Sequence, residues 1–202
     1  MNKVSYALGV SIGQQLANSG VSEIDFNDFT DGVKDALKGN EFKLSAEDGN
    51  KILQKFFADL KKEQEEKSHQ EANLNKQKGE EYLKANKTKD GVEVTPSGLQ
   101  YKKISTVEEK KSPSAHSRVK CHYEGKLITD EIFDSSYMRN EPAVFSLDQV
   151  IPGWTEGLQL MSVGEKYEFT IPSDLAYGEN GIPGHIPGNS VLVFTVELLE
   201  IL

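Results

Sequence analysis

Six aromatic residues, Tyr123, Phe133, Phe145, Trp154, Tyr177 and Phe194, each sit in or beside a different candidate strand or loop of the C-terminal half. Several stand next to turn signals instead of mid-strand, a pattern that suits the rim of an apolar pocket as well as a core. Trp154 is the only tryptophan. It follows Pro152-Gly153 and opens a short apolar turn, so its flat ring either fills a core or floors a cavity. One carboxylate interrupts this company: Asp134, between Phe133 and Ser135. Asp130 and Glu131 read as turn residues. Residues of these types can enclose an apolar group away from water.

Other chemistries find little support. His116, His122 and His185 are scattered, and Cys121 adjoins His122, whose side chain a strand would turn to the opposite face, so the pair cannot chelate. No metal is expected, and His69 should be solvated. There is no Ser-His-Asp signature, no phosphate-cradling glycine loop and no basic patch, so no cofactor is expected either. Cys121 should face the core and be inert. The formal net charge of -9 over 202 residues argues against nucleic acid and against an anionic membrane surface. No apolar run approaches the ~18 residues of a membrane span. The single cysteine forbids an internal disulfide and fits a reducing compartment. Met1–Tyr6 does not read as a secretory signal, so the expected home is cytoplasmic, or periplasmic if a leader has been removed.

The elements that must position these residues fall into three parts. Val4, Leu8, Ile12 and Leu16 repeat at helical spacing, with Gly9 and Gly13 baring one stripe of that helix. Asn18-Ser19-Gly20 ends it. A second helix should run from Phe26 to Leu37 and stop at Gly39-Asn40. Ser45-Ala46-Glu47-Asp48 resembles a capping box opening a third. After Leu60 its apolar face nearly vanishes, yet pairs four apart persist: Lys61/Glu65, Lys62/Glu66, Glu63/Lys67, Lys67/Glu71 and Lys76/Glu80. One helix from Ala46 to Lys84, about 60 Å long, is therefore expected. It should be a solvated stalk with no core to pack against, or else a charged linker. Two short helices and the first turns of the third make too small a core to stand alone, and pairing with a second copy through residues ~1–60 would supply what is missing. All seven prolines lie at or beyond Pro96. There the periodicity falls to 2, giving strands near Leu99–Ile104, Val119–Tyr123, Ala143–Leu147, Tyr167–Ile171 and Ser190–Glu200. Ile132–Pro142 and Leu175–Asn189 read as loops. The expected class is α+β: an antiparallel half-barrel sheet wrapping one short helix in residues 89–202, preceded by helices in 1–44 and a connecting helix in 45–88.

Val119-Lys120-Cys121-His122-Tyr123-Glu124-Gly125, Ile132-Phe133-Asp134-Ser135-Ser136, Val150-Ile151-Pro152-Gly153-Trp154, Ala176-Tyr177-Gly178 and Leu192-Val193-Phe194 resemble, in order and spacing, the FKBP-type peptidyl-prolyl cis–trans isomerases. The helical N-terminal part is similar to the macrophage-infectivity-potentiator and FklB-like branch of that family. The resemblance implies a homodimer through the N-terminal helices. It also implies proline-containing segments of folding proteins as substrates. Trp154 would floor a prolyl pocket walled by Tyr123, Phe133, Phe145, Val150, Ile151 and Phe194. Asp134 and the Tyr177 hydroxyl would face the polar edge of the substrate, and the Ile151 N–H would bond a substrate carbonyl. Arg139 would pair with Asp134 or steady the tyrosines, and Ile182, His185 and Ile186 would line an overhanging loop. Macrolides such as tacrolimus and rapamycin would be possible inhibitors. Ala143, where many single-domain members carry Phe, and Gln149, where some carry Glu, bear on macrolide affinity more than on turnover.

These residue types suit that reaction. An X–Pro bond rotates slowly because of amide resonance. The planar amide is more dipolar than the twisted transition state, so an apolar box favours the twisted form without nucleophile, metal or proton relay. The alternative is a dimeric chaperone or binding module on the same fold with little isomerase activity, holding an unfolded chain by avidity.

Overall fold

The computed structural model describes residues 1–108 and 110–202. Their contacts divide the chain into two compact units, Met1–Lys67 and Ser68–Leu202.

In the first unit, α1 spans Lys3–Asn18 and α2 spans Phe26–Lys38. The Asn2 side chain accepts from Ser5 N at 3.1 Å, and Asp25 accepts from Asn27 N at 2.8 Å and Asp28 N at 3.1 Å. Each cap satisfies donors that a helix start leaves without partners. Gly39 ends α2 at φ 67°, a left-handed conformation that favours glycine. Helix α3, Ala46–Asn86, opens on Ser45, whose Oγ accepts from Asp48 N at 3.0 Å and donates to the Asp48 carboxylate at 2.7 Å. Neither α1 nor α2 buries a single residue. Their apolar faces stand open, Val4 at 71% and Leu37 at 84% exposure.

The second unit is built on an antiparallel sheet: β1 Val92–Val94, β2 Gln100–Ser105, β3 Arg118–Leu127, β4 Ile132–Ser135, β5 Ala143–Ser146, β6 Lys166–Ile171 and β7 Leu192–Ile201. The order is β1-β2-β6-β7-β3-β4, with β5 also paired to β3. Strand β3 pairs with β5 through Arg118–Cys121 and with β4 through Glu124–Lys126, so two short strands share one long edge. The alternation read in the sequence puts Val119, Cys121 and Tyr123 inside with Phe169, Ile171, Phe194, Val196 and Leu198. A short helix, α4 (Pro152–Gln159), lies on that inner face. There a Cβ on Gly153 would stand 2.4 Å from Ile171 Cγ2, and one on Gly157 would stand 2.7 Å from the Phe169 ring.

Three expectations need correction. Ile132–Pro142 is not all loop, because Ile132–Ser135 pairs with β3; four residues are too few to display a clear period. Val92–Val94 pairs with β2, and its three residues are likewise too few to display a period. The third concerns α3. Its middle was expected to have nothing to pack with, yet Ala72, Gly79 and Asn86 are buried. Asn86 Nδ2 donates to Gln100 Oε1 at 3.0 Å and Thr170 Oγ1 at 3.2 Å, while Gln100 Nε2 donates to Leu83 O at 2.9 Å. Thr170 alternates with Phe169 and Ile171, so this end of α3 covers the sheet face opposite α4. Small and amide side chains hide such a face from a hydropathy reading. Of the expected pairs four apart, Lys61–Glu65, Lys62–Glu66 and Glu63–Lys67 form; Lys67–Glu71 and Lys76–Glu80 do not among the described residues. Among the same residues, no helix is long and apolar enough to cross a membrane.

Glu165 is buried beside β6. It accepts from Lys110 Nζ at 2.6 Å and from Ser162 N at 2.7 Å. Burial pushes its carboxyl up, but the lysine and the N–H groups outweigh this and hold it below the usual range. Its stabilising contribution is therefore complete above the unfolded glutamate pKa of about 4.3 and is lost as pH falls through the lower folded value. Glu165→Gln should destabilise this unit by about 1–3 kcal/mol at pH 7 and flatten its acid destabilisation, read by urea melts on Trp154 fluorescence. Unchanged acid sensitivity would contradict this account.

Candidate active site

A cavity of about 600 Å³ opens beside α4. It is lined by Tyr123 of β3, Phe133 and Asp134 of β4, Phe145 of β5, Trp154 of α4 and Phe194 of β7. Gln149, Val150 and Ile151 approach from the segment before α4, and Tyr177, Ile182, His185 and Ile186 from the segment before β7.

The depth of the cavity is set by Trp154. Ile151 stays extended at ψ 146°, as a residue before proline prefers, and Pro152 starts α4. Trp154 N then donates to Ile151 O at 2.9 Å. The indole is only 4% exposed, yet it lines the cavity. Tyr123, Phe145 and Phe194 stand nearly perpendicular to it, with centroids at 5.3, 5.1 and 5.3 Å. This is the edge-to-face geometry favoured by ring quadrupoles. The Trp154 Nε1–H is the one buried side-chain polar group without a partner among the described residues.

The polar groups sit at one edge. Tyr123 donates its hydroxyl hydrogen to Asp134 Oδ2 at 2.5 Å and accepts from Arg139 Nη2 at 2.8 Å. Arg139 Nη1 closes the triangle on Asp134 Oδ1. Burial raises the Asp134 carboxyl, but the bonds from Tyr123 and Arg139 outweigh it and hold it below the ordinary aspartate range. The carboxylate is thus charged and occupied, and unsuited to taking up a proton. Burial and the nearby Asp134 charge push the Tyr177 phenol up, so at neutral pH it is a hydroxyl donor. Among the described residues neither that hydroxyl nor the Ile151 N–H makes a hydrogen bond. The site therefore offers apolar walls, one ordered ionic triad and two free donors.

Of the residues given a role at the site by the resemblance, Arg139 alone does not line the cavity. It grips two residues that do. Others act through space they leave empty. A Cβ on Gly125 would stand 2.5 Å from the Phe194 ring and 2.8 Å from the Phe133 ring, so these two walls need glycine on β3. Ser136 is fully buried; its Oγ accepts from Tyr123 N at 2.7 Å and its N–H donates to Tyr123 O at 2.9 Å, locking the end of β4 across the tyrosine. Neither role leaves a periodic or compositional mark. Gln149, noted in the sequence only as a substitution, also lines the cavity.

Comparison with known proteins bears on this arrangement. The family described as FKBP-type peptidyl-prolyl cis-trans isomerase matches residues 109–199, and the domain amino terminal to FKBP-type peptidyl-prolyl isomerase matches residues 1–102. The FKBP-type peptidyl-prolyl cis-trans isomerase FkpA of Aeromonas hydrophila is 47% identical over 203 residues, covering 97% of this chain and 74% of that protein. The FKBP-type 22 kDa peptidyl-prolyl cis-trans isomerase of Escherichia coli K12 is 41% identical over 200 residues, covering 99% and 95%. The crystal structure of FkpA from Escherichia coli superposes with a TM-score of 0.73 at 39% identity, covering 98% of this chain and 95% of that one.

The triad has a direct test. Replacing Arg139 by alanine removes a bond and a charge from Asp134, so the Asp134 carboxyl should titrate at higher pH in Arg139→Ala than in the unmodified protein. Side-chain carbonyl NMR across pH 2 to 7 reads this; identical titration curves would show that the pairing is not formed in solution.

Proposed function

The chain belongs to the FKBP-type peptidyl-prolyl cis–trans isomerase family and is an isomerase of X–Pro bonds; on that premise we propose how its residues accelerate the rotation. The proline ring of a client segment enters the cup and rests on Trp154, walled by Tyr123, Phe145, Val150 and Phe194. The observation that carries this reading is the indole: buried among three rings, yet facing a cavity of about 600 Å³.

Uncatalysed exchange takes tens of seconds or longer because rotation breaks amide resonance. A planar amide is a strong dipole that water stabilises; the twisted one has less charge separation. Moving the bond into an apolar cup removes water from the planar form at greater cost than from the twisted form. A 10⁵-fold gain would need about 7 kcal/mol of such differential stabilisation. The Ile151 N–H holds a substrate carbonyl, which fixes one side of the bond. The Tyr177 hydroxyl donates to the carbonyl that rotates. Asp134, anchored by Arg139, orders the Tyr123 wall and gives the cup one polar edge. Ile182, His185 and Ile186 cover the flanking residues. No bond is made or broken, so no proton must be relayed.

We further propose that residues 1–44, with the start of α3, form a homodimer. Phe26, Leu37, Ile52 and Phe57 are exposed in a single copy, and a Cβ on Gly9 or Gly13 would meet nothing within 4 Å. So many exposed large apolar side chains call for a partner, and a second copy supplies identical faces. Two cups on one dimer could hold a client by avidity, which favours a chaperone role beside turnover and not in its place. Macrolides of the tacrolimus and rapamycin type would compete for the same cup. Cys121 is buried, with its thiol pushed up to about 12, so the fold makes no redox demand on its compartment.

Trp154→Ala should cut kcat/KM on a proline-containing peptide at least tenfold, and Asp134→Ala should also lower it, as read by a coupled isomerisation assay. Near-unchanged turnover in both would remove the assignment. Sedimentation at micromolar concentration should give twice the chain mass, whereas a single-chain mass refutes the dimer. A chain of residues 68–202 should keep its peptide turnover and lose rate on a refolding protein.

A further inference from the structure

The segment between Gly178 and Asn189 brings Ile182, His185 and Ile186 to the cup. It is folded tightly on itself. Ile182 N donates to Ile186 O at 2.7 Å and Ile186 N returns to Ile182 O at 2.8 Å. A Cβ on Gly181 would stand 2.1 Å from Ile186 O, and one on Gly188 would stand 2.0 Å from Glu179 O. The segment closes where Asn189 N donates to Gly178 O at 2.8 Å. Such a loop moves as one body about its stem unless something outside it holds it.

Two things outside the loop hold it: the core, in which Ile186 is buried, and α3, the helix that the sequence presents as a bare stalk, which grips the stem. Asn75 Nδ2 donates to Gly188 O at 3.2 Å, and Asn189 Nδ2 donates to Ala72 O at 3.2 Å. The two amides thus cross-link helix and stem reciprocally. Close approach makes this possible. Ala72 is buried, and its Cβ would lie 3.0 Å from a Cβ on Gly188; a Cβ on Gly79 would stand 2.8 Å from Val191 Cγ2. The pair His69–Glu179, at 3.9 Å and exposed on both sides, adds little.

We propose that Asn75 is a positioning residue of the isomerase site, with Asn189 as its reciprocal partner: through them α3 holds the loop that carries Ile182, His185 and Ile186 over the cup. This rests on the isomerase reading above. Trp154, Tyr123 and Asp134 sit on the sheet and α4, so they keep their geometry when the loop is freed. What is lost is the lid over residues flanking the proline, which acts on ground state and transition state alike and so falls on KM.

Two variants separate this from plain packing. Asn189 has φ 56°, which glycine adopts without strain, so Asn189→Gly removes the side chain and its amide while the folded backbone conformation stays available. Asn75→Asp keeps the shape and turns a donor into a carboxylate facing the Gly188 carbonyl, so it should act more strongly than Asn75→Ala. In the full chain, both should raise KM for a proline peptide threefold or more with kcat within twofold. Nitrogen-15 relaxation should show new microsecond-to-millisecond exchange at residues 179–188 and none in β3, β6 or β7. Loop relaxation identical to the unmodified protein in both variants would overturn the proposal, as would exchange spread over the whole sheet with a lowered Tm. The relaxation readout needs no turnover, so an inactive unmodified protein would defeat the isomerase reading and leave this test intact.

Discussion

The site depends on how closely α4 lies against the sheet. Two glycines on one face of this short helix replace side chains that would collide with Ile171 and Phe169, at 2.4 and 2.7 Å. Their absence lets the helix backbone settle onto β6. Pro152 fixes where the helix begins, and the indole two residues on is thereby held at one depth. A helix standing farther out would lift Trp154 from the three rings that frame it, and the cup would lose its floor. Added volume at such contacts typically costs about 1–3 kcal/mol, and here it would also displace the indole.

Around that floor the protein keeps charge under control. Asp134, Arg139 and Tyr123 satisfy one another, so the one carboxylate at the cup is spoken for before any substrate arrives. The donors left over, Tyr177 and the Ile151 N–H, point to hydrogen bonding with carbonyls and not to proton transfer. A low-dielectric cup with few donors at its rim suits a reaction whose transition state is less polar than its ground state. The same economy explains the buried glycine of β3. Gly125 gives up a side chain so that Phe133 and Phe194 can meet at 5.5 Å in an edge-to-face pair.

Helix α3 has two characters along its length. Up to Lys67 its sides carry ion pairs such as Glu63–Lys67 at 2.7 Å, exposed and individually weak. From Ser68 onward it belongs to the sheet unit, closing its outer face with Asn86, Gln100 and Thr170 and gripping the loop beside the cup through Asn75. The first unit has the opposite problem: in one copy its apolar faces have almost nothing to bury themselves against. Of its large hydrophobic side chains, Val21 is the buried one among the described residues.

Local signals in the chain were enough for the helices and the longer strands, whereas the residues proposed for the site come from the resemblance and not from periodicity. Caps at Asn18–Gly20, Gly39 and Ser45 depend on neighbouring residues alone, and alternation along β3, β6 and β7 is visible wherever a strand is long enough to repeat. Five separated motifs carried the aromatic set and Asp134 together. What the sequence could not decide is anything that depends on two distant segments sharing one space. The short strands β1 and β4 exist because longer strands offer them edges. Gly125, Gly153 and Gly157 matter for the rings they admit, and a missing side chain leaves no pattern to read. The second half of α3 has the composition of a solvated stalk, yet it packs through Ala72, Gly79 and two asparagines. Close backbone approach favours small residues and reciprocal amides, which hydropathy scores as polar or neutral, so only the folded chain distinguishes such a face from one turned to water.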